Sequence, residues 1–186
     1  MEVFPRLLDH PFYKAWAAGQ VSMNSLAGYH RSYSQFIQRF PFYWQHVLDA
    51  LEPHLESPAP VVQEERSHAL LWEQWGQRLR PPNEIPDMRP VLDALDAMTP
   101  SQLLGAIHAF EIQQPGVART KKEGLMLHYG FDRSVLTYFD EHENEDAHIA
   151  FGQSLARRCA DQKEFAQGLE AGARLFYGSL DRFLER

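Results

Sequence analysis

The sequence predicts an all-α fold, and three observations predict it. Apolar residues recur at steps of three and four over long stretches, prolines and glycines fall between those stretches, and no alternating strand pattern of useful length occurs. The elements follow in chain order. His10 to Ala18 reads as a short helix ended by Gly19. Leu26, Tyr29, Tyr33, Phe36, Ile37, Phe40, Tyr43, Trp44, Val47, Leu48 and Leu51 mark one face of a long helix, with capping residues at Ser22 to Ser25 and a kink expected at Pro41. Pro53, Pro58 and Pro60 form a connection. Helix then runs from Val61 to Arg80 and stops at Pro81-Pro82. A small helix, Val91 to Ala97, precedes a new start at Thr99-Pro100-Ser101. That helix runs through Glu111, is interrupted by Pro115 and resumes to His128. Two more are expected, Arg133 to Cys159 and Lys163 to Phe183. An α-helical bundle of seven or so helices is the expected architecture.

The 186 residues suit one domain with a sizeable core, and 44% are hydrophobic, which excludes a disordered chain. The formal net charge is −7 and the longest basic run is Lys121-Lys122, so a nucleic-acid partner is not expected. No apolar stretch approaches the ~18 residues of a membrane span. The opening Met1-Glu2-Val3-Phe4-Pro5-Arg6 is broken by charge and proline, unlike a signal peptide. One cysteine, Cys159, forbids an intrachain disulfide, and a reducing cytoplasm is the expected compartment.

Carboxylates and imidazoles recur at helical spacing. Glu64 and His68 are four apart and Glu65 and His68 three apart, so either pair lies on one helix side. Glu111 sits in a mostly apolar setting, where a carboxylate needs a partner or a cation. His142 and Asp146 are four apart, Glu145 and His148 three apart. Such donors without a thiolate suit iron or manganese. Two Glu-x-x-His motifs flanking Glu111 partly reproduce a ferritin-like di-iron pattern, although the long first helix lacks its glutamate. The same pairs occur on solvated faces, and the acidic stretch Asp140 to Asp146 reads as one. His10, His30, His46, His54, His108 and His128 read as packing or surface residues, and Cys159 as a small buried apolar residue.

Three motifs carry a family resemblance: His10-Pro11-Phe12-Tyr13-Lys14-Ala15-Trp16 with Tyr29, Tyr33 and Phe40-Pro41; Phe110-Glu111-x-x-Gln114-Pro115-x-Val117-Ala118-x-x-Lys121-x-x-Gly124-Leu125; and Tyr138-Phe139-x-Glu141-His142-x-x-x-Asp146. The chain resembles the heme-oxygenase-like di-metal oxidases, in the branch holding the PqqC enzymes and the chlamydial protein associating with death domains. The resemblance implies a seven-helix fold, two irons per chain (manganese in one position as a variant) and O₂ as co-substrate. The implied ligands are Glu64 or Glu65 with His68, then Glu111, His142 and Asp146. His148 falls one residue short of the family's third-helix position. Either the helix is locally irregular, or Glu145 and His148 replace part of the set, or one metal is weakly held. Some members make p-aminobenzoate from one of their own tyrosines with a lysine as amino donor. The matching residues are Tyr13 and Lys121, with Tyr29 and Tyr138 as further pocket tyrosines. The expected substrate is therefore a small aromatic or amino-acid-like molecule, or a side chain of the protein itself; a homodimer is implied by resemblance only. The alternative is a metal-free PqqC-like or thiaminase-like enzyme or small-molecule binding bundle, and an interaction protein ranks last.

Overall fold

The computed structural model describes residues 4–54 and 59–184. Pro58 of the expected connection and Met1 to Val3 lie outside the described residues. The described residues form nine α-helices and three short 3-10 turns, with no strand among them, as the periodicity predicts. They are α1 (Pro11–Ala17), α2 (Met23–Leu51), α3 (Pro60–Gly76), α4 (Arg89–Asp96), α5 (Pro100–Glu111), α6 (Gln114–Tyr129), α7 (Thr137–His142), α8 (Asp146–Cys159) and α9 (Gln162–Ser179).

The starts are chemically determined. The His10 side chain accepts from the Phe12 N–H, and Pro11 fills the first turn of α1. Ser22 caps α2 by accepting from the Ser25 N–H. Thr99 and Gln102 close a reciprocal capping box at the head of α5. Gly130, at φ 67°, takes the left-handed conformation that ends α6. The 29 residues of α2 continue through Pro41 as one element and bury the apolar face read from the sequence, including Tyr29, Tyr33, Phe36, Phe40 and Trp44. Helices α3 and α5 pack against this spine, and α9 packs along α5.

Seven expected helices become nine for one reason in each of two places. Ile112 and Gln113 separate α5 from α6 ahead of Pro115, as anticipated. Between α7 and α8, where one helix from Arg133 to Cys159 is expected, Glu143 to Glu145 form a turn instead. That turn changes the phase of everything after it, with consequences for the site.

The α5/α9 contact is close because glycines line it. A Cβ added at Gly172 would lie 2.6 Å from the Ala106 Cα, and one at Gly168 would collide with the Gln102 backbone. Backbone atoms in a packed helix pair yield little. Gly168→Ala should therefore lower stability by about 1–3 kcal/mol, the usual range for overpacking. Urea unfolding measures it directly.

Candidate metal centre

Six side chains from α3, α5, α7, α8 and the α7/α8 turn converge in the interior. Glu65 and His68 lie one turn apart on α3; Glu65 is buried and its Oε2 is 3.4 Å from His68 Nδ1. Glu111, at the end of α5, is 2% exposed, and Trp44 on α2 donates its indole N–H to Glu111 Oε1 at 3.1 Å. His142 is the last residue of α7. Its Nδ1 donates to the Tyr138 carbonyl at 2.7 Å, which leaves Nε2 as the free donor atom. That Nε2 lies 3.4 Å from Glu145 Oε1. His148, one turn into α8, has its Nδ1 3.0 Å from Glu145 Oε2 and 3.3 Å from Glu65 Oε1.

Two of the sequence assignments are corrected here. Asp146 is exposed on α8, and the buried carboxylate is its neighbour Glu145. Residues 143–145 are a turn, so the phase of a continuous helix, which would have paired His142 with Asp146, is lost. The same turn brings His148 inward despite its shifted spacing. Of Glu64 and Glu65, it is Glu65 that points into the cluster. The Glu64 side chain is 57% exposed and reaches His148 from outside. The acidic stretch is a solvated face only in part: Asp140 and Glu143 pair with Lys122, and Glu145 is buried.

The charge balance of this interior is uneven. Burial, and then the neighbouring Glu65, push the Glu111 carboxyl well above the usual carboxylate range. Burial would also raise Glu65, but the imidazoles of His148 and His68 outweigh it and bring it down to about 2. Burial lowers His142 to about 4 despite Glu145 beside it. His148 moves the other way, to about 11, because Glu145, Glu65 and Glu64 surround it and outweigh its burial.

Three atoms of the cluster are buried without a hydrogen-bond partner: His68 Nδ1, Glu111 Oε2 and His148 Nδ1. Buried polar atoms are normally satisfied, and leaving one unpaired costs about 1–3 kcal/mol. Two sets of donor atoms, each within 4.8 Å of one another, explain them: Glu65/His68/His142 and Glu65/Glu111/His148. The first is a two-histidine, one-carboxylate set of the kind that binds non-heme iron. Glu65 belongs to both, and Glu145 touches a histidine of each. Buried carboxylates and imidazoles gathered in this way fit bound iron.

Beside the cluster lies an aromatic pocket. Tyr138 stacks on His142 with ring centroids 4.0 Å apart and meets Trp72 at 4.9 Å. Beyond Trp72 the Lys121 ammonium group faces four rings, at 5.3 Å from Tyr13, 5.1 Å from Tyr29, 5.7 Å from Tyr33 and 5.7 Å from Trp72. Tyr13 and Tyr29 share a hydrogen bond between hydroxyls at 3.1 Å. Lys121 is 3% exposed and makes no ion pair among the described residues; burial pulls its amine down to about 7. Tyr13, Tyr29 and Tyr138 are shifted upward, first of all by burial, and stay protonated.

Trp44 and Trp72 were not singled out as site residues from the sequence. Trp72 carried a readable signal, since it lies one turn beyond His68 on the same face of α3. Trp44 carried none, being one aromatic among many on α2. Cys159 is half-buried rather than buried, and its thiol donates to Glu52 at 3.0 Å, which raises its pKa. A thiol so placed is a poor nucleophile. Among the described residues no helix is long and apolar enough to cross a membrane.

Residues 62–177 match the family of iron-containing redox enzymes, and the chain belongs to that family; it is an enzyme. Its relatives are specific. The chain is 28% identical to the 4-aminobenzoate synthase of Chlamydia muridarum (strain MoPn / Nigg), over 96% of this chain and 85% of the relative. It is 25% identical to the 4-aminobenzoate synthase of Nitrosomonas europaea, over 96% of this chain and 84% of the relative. A solved domain of unknown function from Shewanella denitrificans, with a heme oxygenase-like fold, superposes with a TM-score of 0.70 at 14% identity, covering 95% of this chain and 85% of that one. The fold is heme oxygenase-like.

Proposed function

We propose that this chain is an O₂-dependent di-iron oxidase, with manganese an acceptable occupant of one position, that forms 4-aminobenzoate at the expense of its own Tyr13. The observation that carries the reading is the Lys121 amine held over the Tyr13 ring, in a closed aromatic pocket that adjoins the carboxylate–histidine cluster. The name borne by the relatives in Chlamydia and Nitrosomonas supports the product.

Glu65, His68 and His142 would hold one iron, and Glu65, Glu111 and His148 the other, with Glu145 between them. Bound iron supplies the activation of O₂, which side chains alone do not provide. The remaining roles belong to the chain. Tyr13 is the aromatic ring to be oxidised, and Tyr29, hydrogen-bonded to its hydroxyl, fixes the ring. Near neutral pH a large share of Lys121 is the free amine, the form that carries a nitrogen lone pair. The rings of Tyr33, Trp72 and Phe12 close the pocket against water.

The test begins with iron. Purified protein given ferrous iron without oxygen should bind two irons per chain, in keeping with a shared carboxylate set. Admitting O₂ should then consume oxygen, release 4-aminobenzoate and lower the mass of the peptide containing Tyr13. An unchanged Tyr13 peptide alongside a released product would refute the self-consumption; absence of iron uptake would refute the metal centre.

A further inference from the structure

We infer that Glu64 is a positioning residue for His148, turning that ring so that Nδ1 faces the shared carboxylates, and that it sets the affinity of one of the two metal positions selectively. The inference deepens the di-metal reading and rests on it.

Glu64 and Glu65 are adjacent on α3, and adjacent residues of a helix point in different directions. Glu65 enters the cluster, while Glu64 stays at the rim, 57% exposed. Its Oε2 lies 2.6 Å from His148 Nε2, a short charge-assisted hydrogen bond. The opposite nitrogen, Nδ1, faces Glu145 Oε2 at 3.0 Å and Glu65 Oε1 at 3.3 Å, yet forms no hydrogen bond of acceptable geometry with either. One edge of the ring is therefore anchored and the other left unsatisfied inside a donor set. Ligand histidines are usually held this way, with the distal N–H given to a carboxylate that fixes the tautomer and the ring angle.

His142 and His148 differ in their anchors. His142 gives its Nδ1 hydrogen to the Tyr138 carbonyl and presents Nε2. Among the described residues the His148 ring meets no backbone carbonyl, and its orientation depends on an exposed side chain of another helix. Only the Glu65/Glu111/His148 set contains His148. The asymmetry in support should appear as asymmetry in binding.

The experiment compares anaerobic ferrous-iron titrations of the wild-type protein, Glu64→Ala and Glu64→Gln, with metal per chain and affinity as readouts. In Glu64→Ala one position should keep wild-type affinity and the other should weaken roughly 10- to 100-fold, the usual effect of removing an outer carboxylate. Glu64→Gln keeps an acceptor oxygen and should recover part of the loss. Circular dichroism of the metal-free variants at the titration temperature should match the wild type, so that the change cannot be ascribed to misfolding. Two equally tight irons in Glu64→Ala would overturn the inference and leave the di-metal reading standing. Equal weakening of both positions would also overturn it. Wild-type protein that takes up no iron would overturn both.

Discussion

If the centre holds two irons as proposed, Glu65→Ala is expected to remove both at once. Glu65 is the one residue common to the two donor sets, so its loss leaves His68 with His142 on one side and Glu111 with His148 on the other. Iron uptake should fall from two per chain to near none, and oxygen consumption and product to background. Glu111→Ala should also abolish oxygen consumption, while retaining the Glu65/His68/His142 set and about one iron, as expected where each metal keeps a separate ligand set. Glu65→Gln controls for packing, since it keeps the volume and loses the charge. Metal analysis beside an oxygen electrode decides the matter. Full iron uptake by Glu65→Ala would mean that Glu65 is not shared between two metals.

The second large effect concerns Lys121. Lys121→Met keeps an unbranched chain one atom shorter and removes the nitrogen, so product should vanish while iron uptake persists. It should also remove a pH dependence of stability. Burial holds the amine at about 7 in the folded protein, whereas the unfolded chain titrates near 10.4, the ordinary lysine value. Between these values the unfolded chain carries a proton that the folded chain has released. Unfolding then takes up a proton, and stability rises with pH, by at most ~1.4 kcal/mol per unit. Below pH 7 both states are protonated, and the folded state carries a buried charge without an ion pair among the described residues. The advantage of Lys121→Met over wild type should accordingly be largest and constant below pH 7 and shrink from there towards pH 10. Urea unfolding at several pH values checks this, and a constant difference would show that the amine does not titrate in that window.

How much of this could be read from the sequence depends on the element. The long helix α2 was legible because its apolar residues recur without interruption from Leu26 to Leu51, and its cap at Ser22 has a chemical signature. The start of α5 was legible from Thr99 and Pro100 for the same reason. The α7/α8 turn was not. Glu143, Asn144 and Glu145 include no proline or glycine, and nothing local opposes continuing the helix. The turn is imposed by tertiary contacts, among them the pairing of Glu143 with Lys122 and the burial of Glu145 among histidines. A helix advances about 100° per residue, so a local break decides which acids face inward. The choice of Glu145 over Asp146 was thus hidden, although the irregularity that produces it was foreseeable from His148. The choice of Glu65 over Glu64 needed the orientation of α3 about its own axis, which two adjacent glutamates do not reveal. The aromatic pocket was half legible: Tyr13, Tyr29, Tyr138 and Lys121 came from the resemblance, Trp72 was readable from its place one turn beyond His68, and Trp44 required the fold.

Tyr13 is also a supporting beam. Its ring is almost wholly buried, packs 5.5 Å from Phe12 and is tied to Tyr29. On the proposed reaction that ring leaves as product and nothing in the chain refills the space. Deleting a buried aromatic side chain costs about 3–5 kcal/mol, against about 5–15 kcal/mol of total stability in an ordinary domain. Synthesis would then be a one-shot event, with each chain both reagent and vessel. The yield of the pathway would be limited by the rate of translation, and the spent scaffold, weakened at its core, would be singled out for degradation by the act that used it.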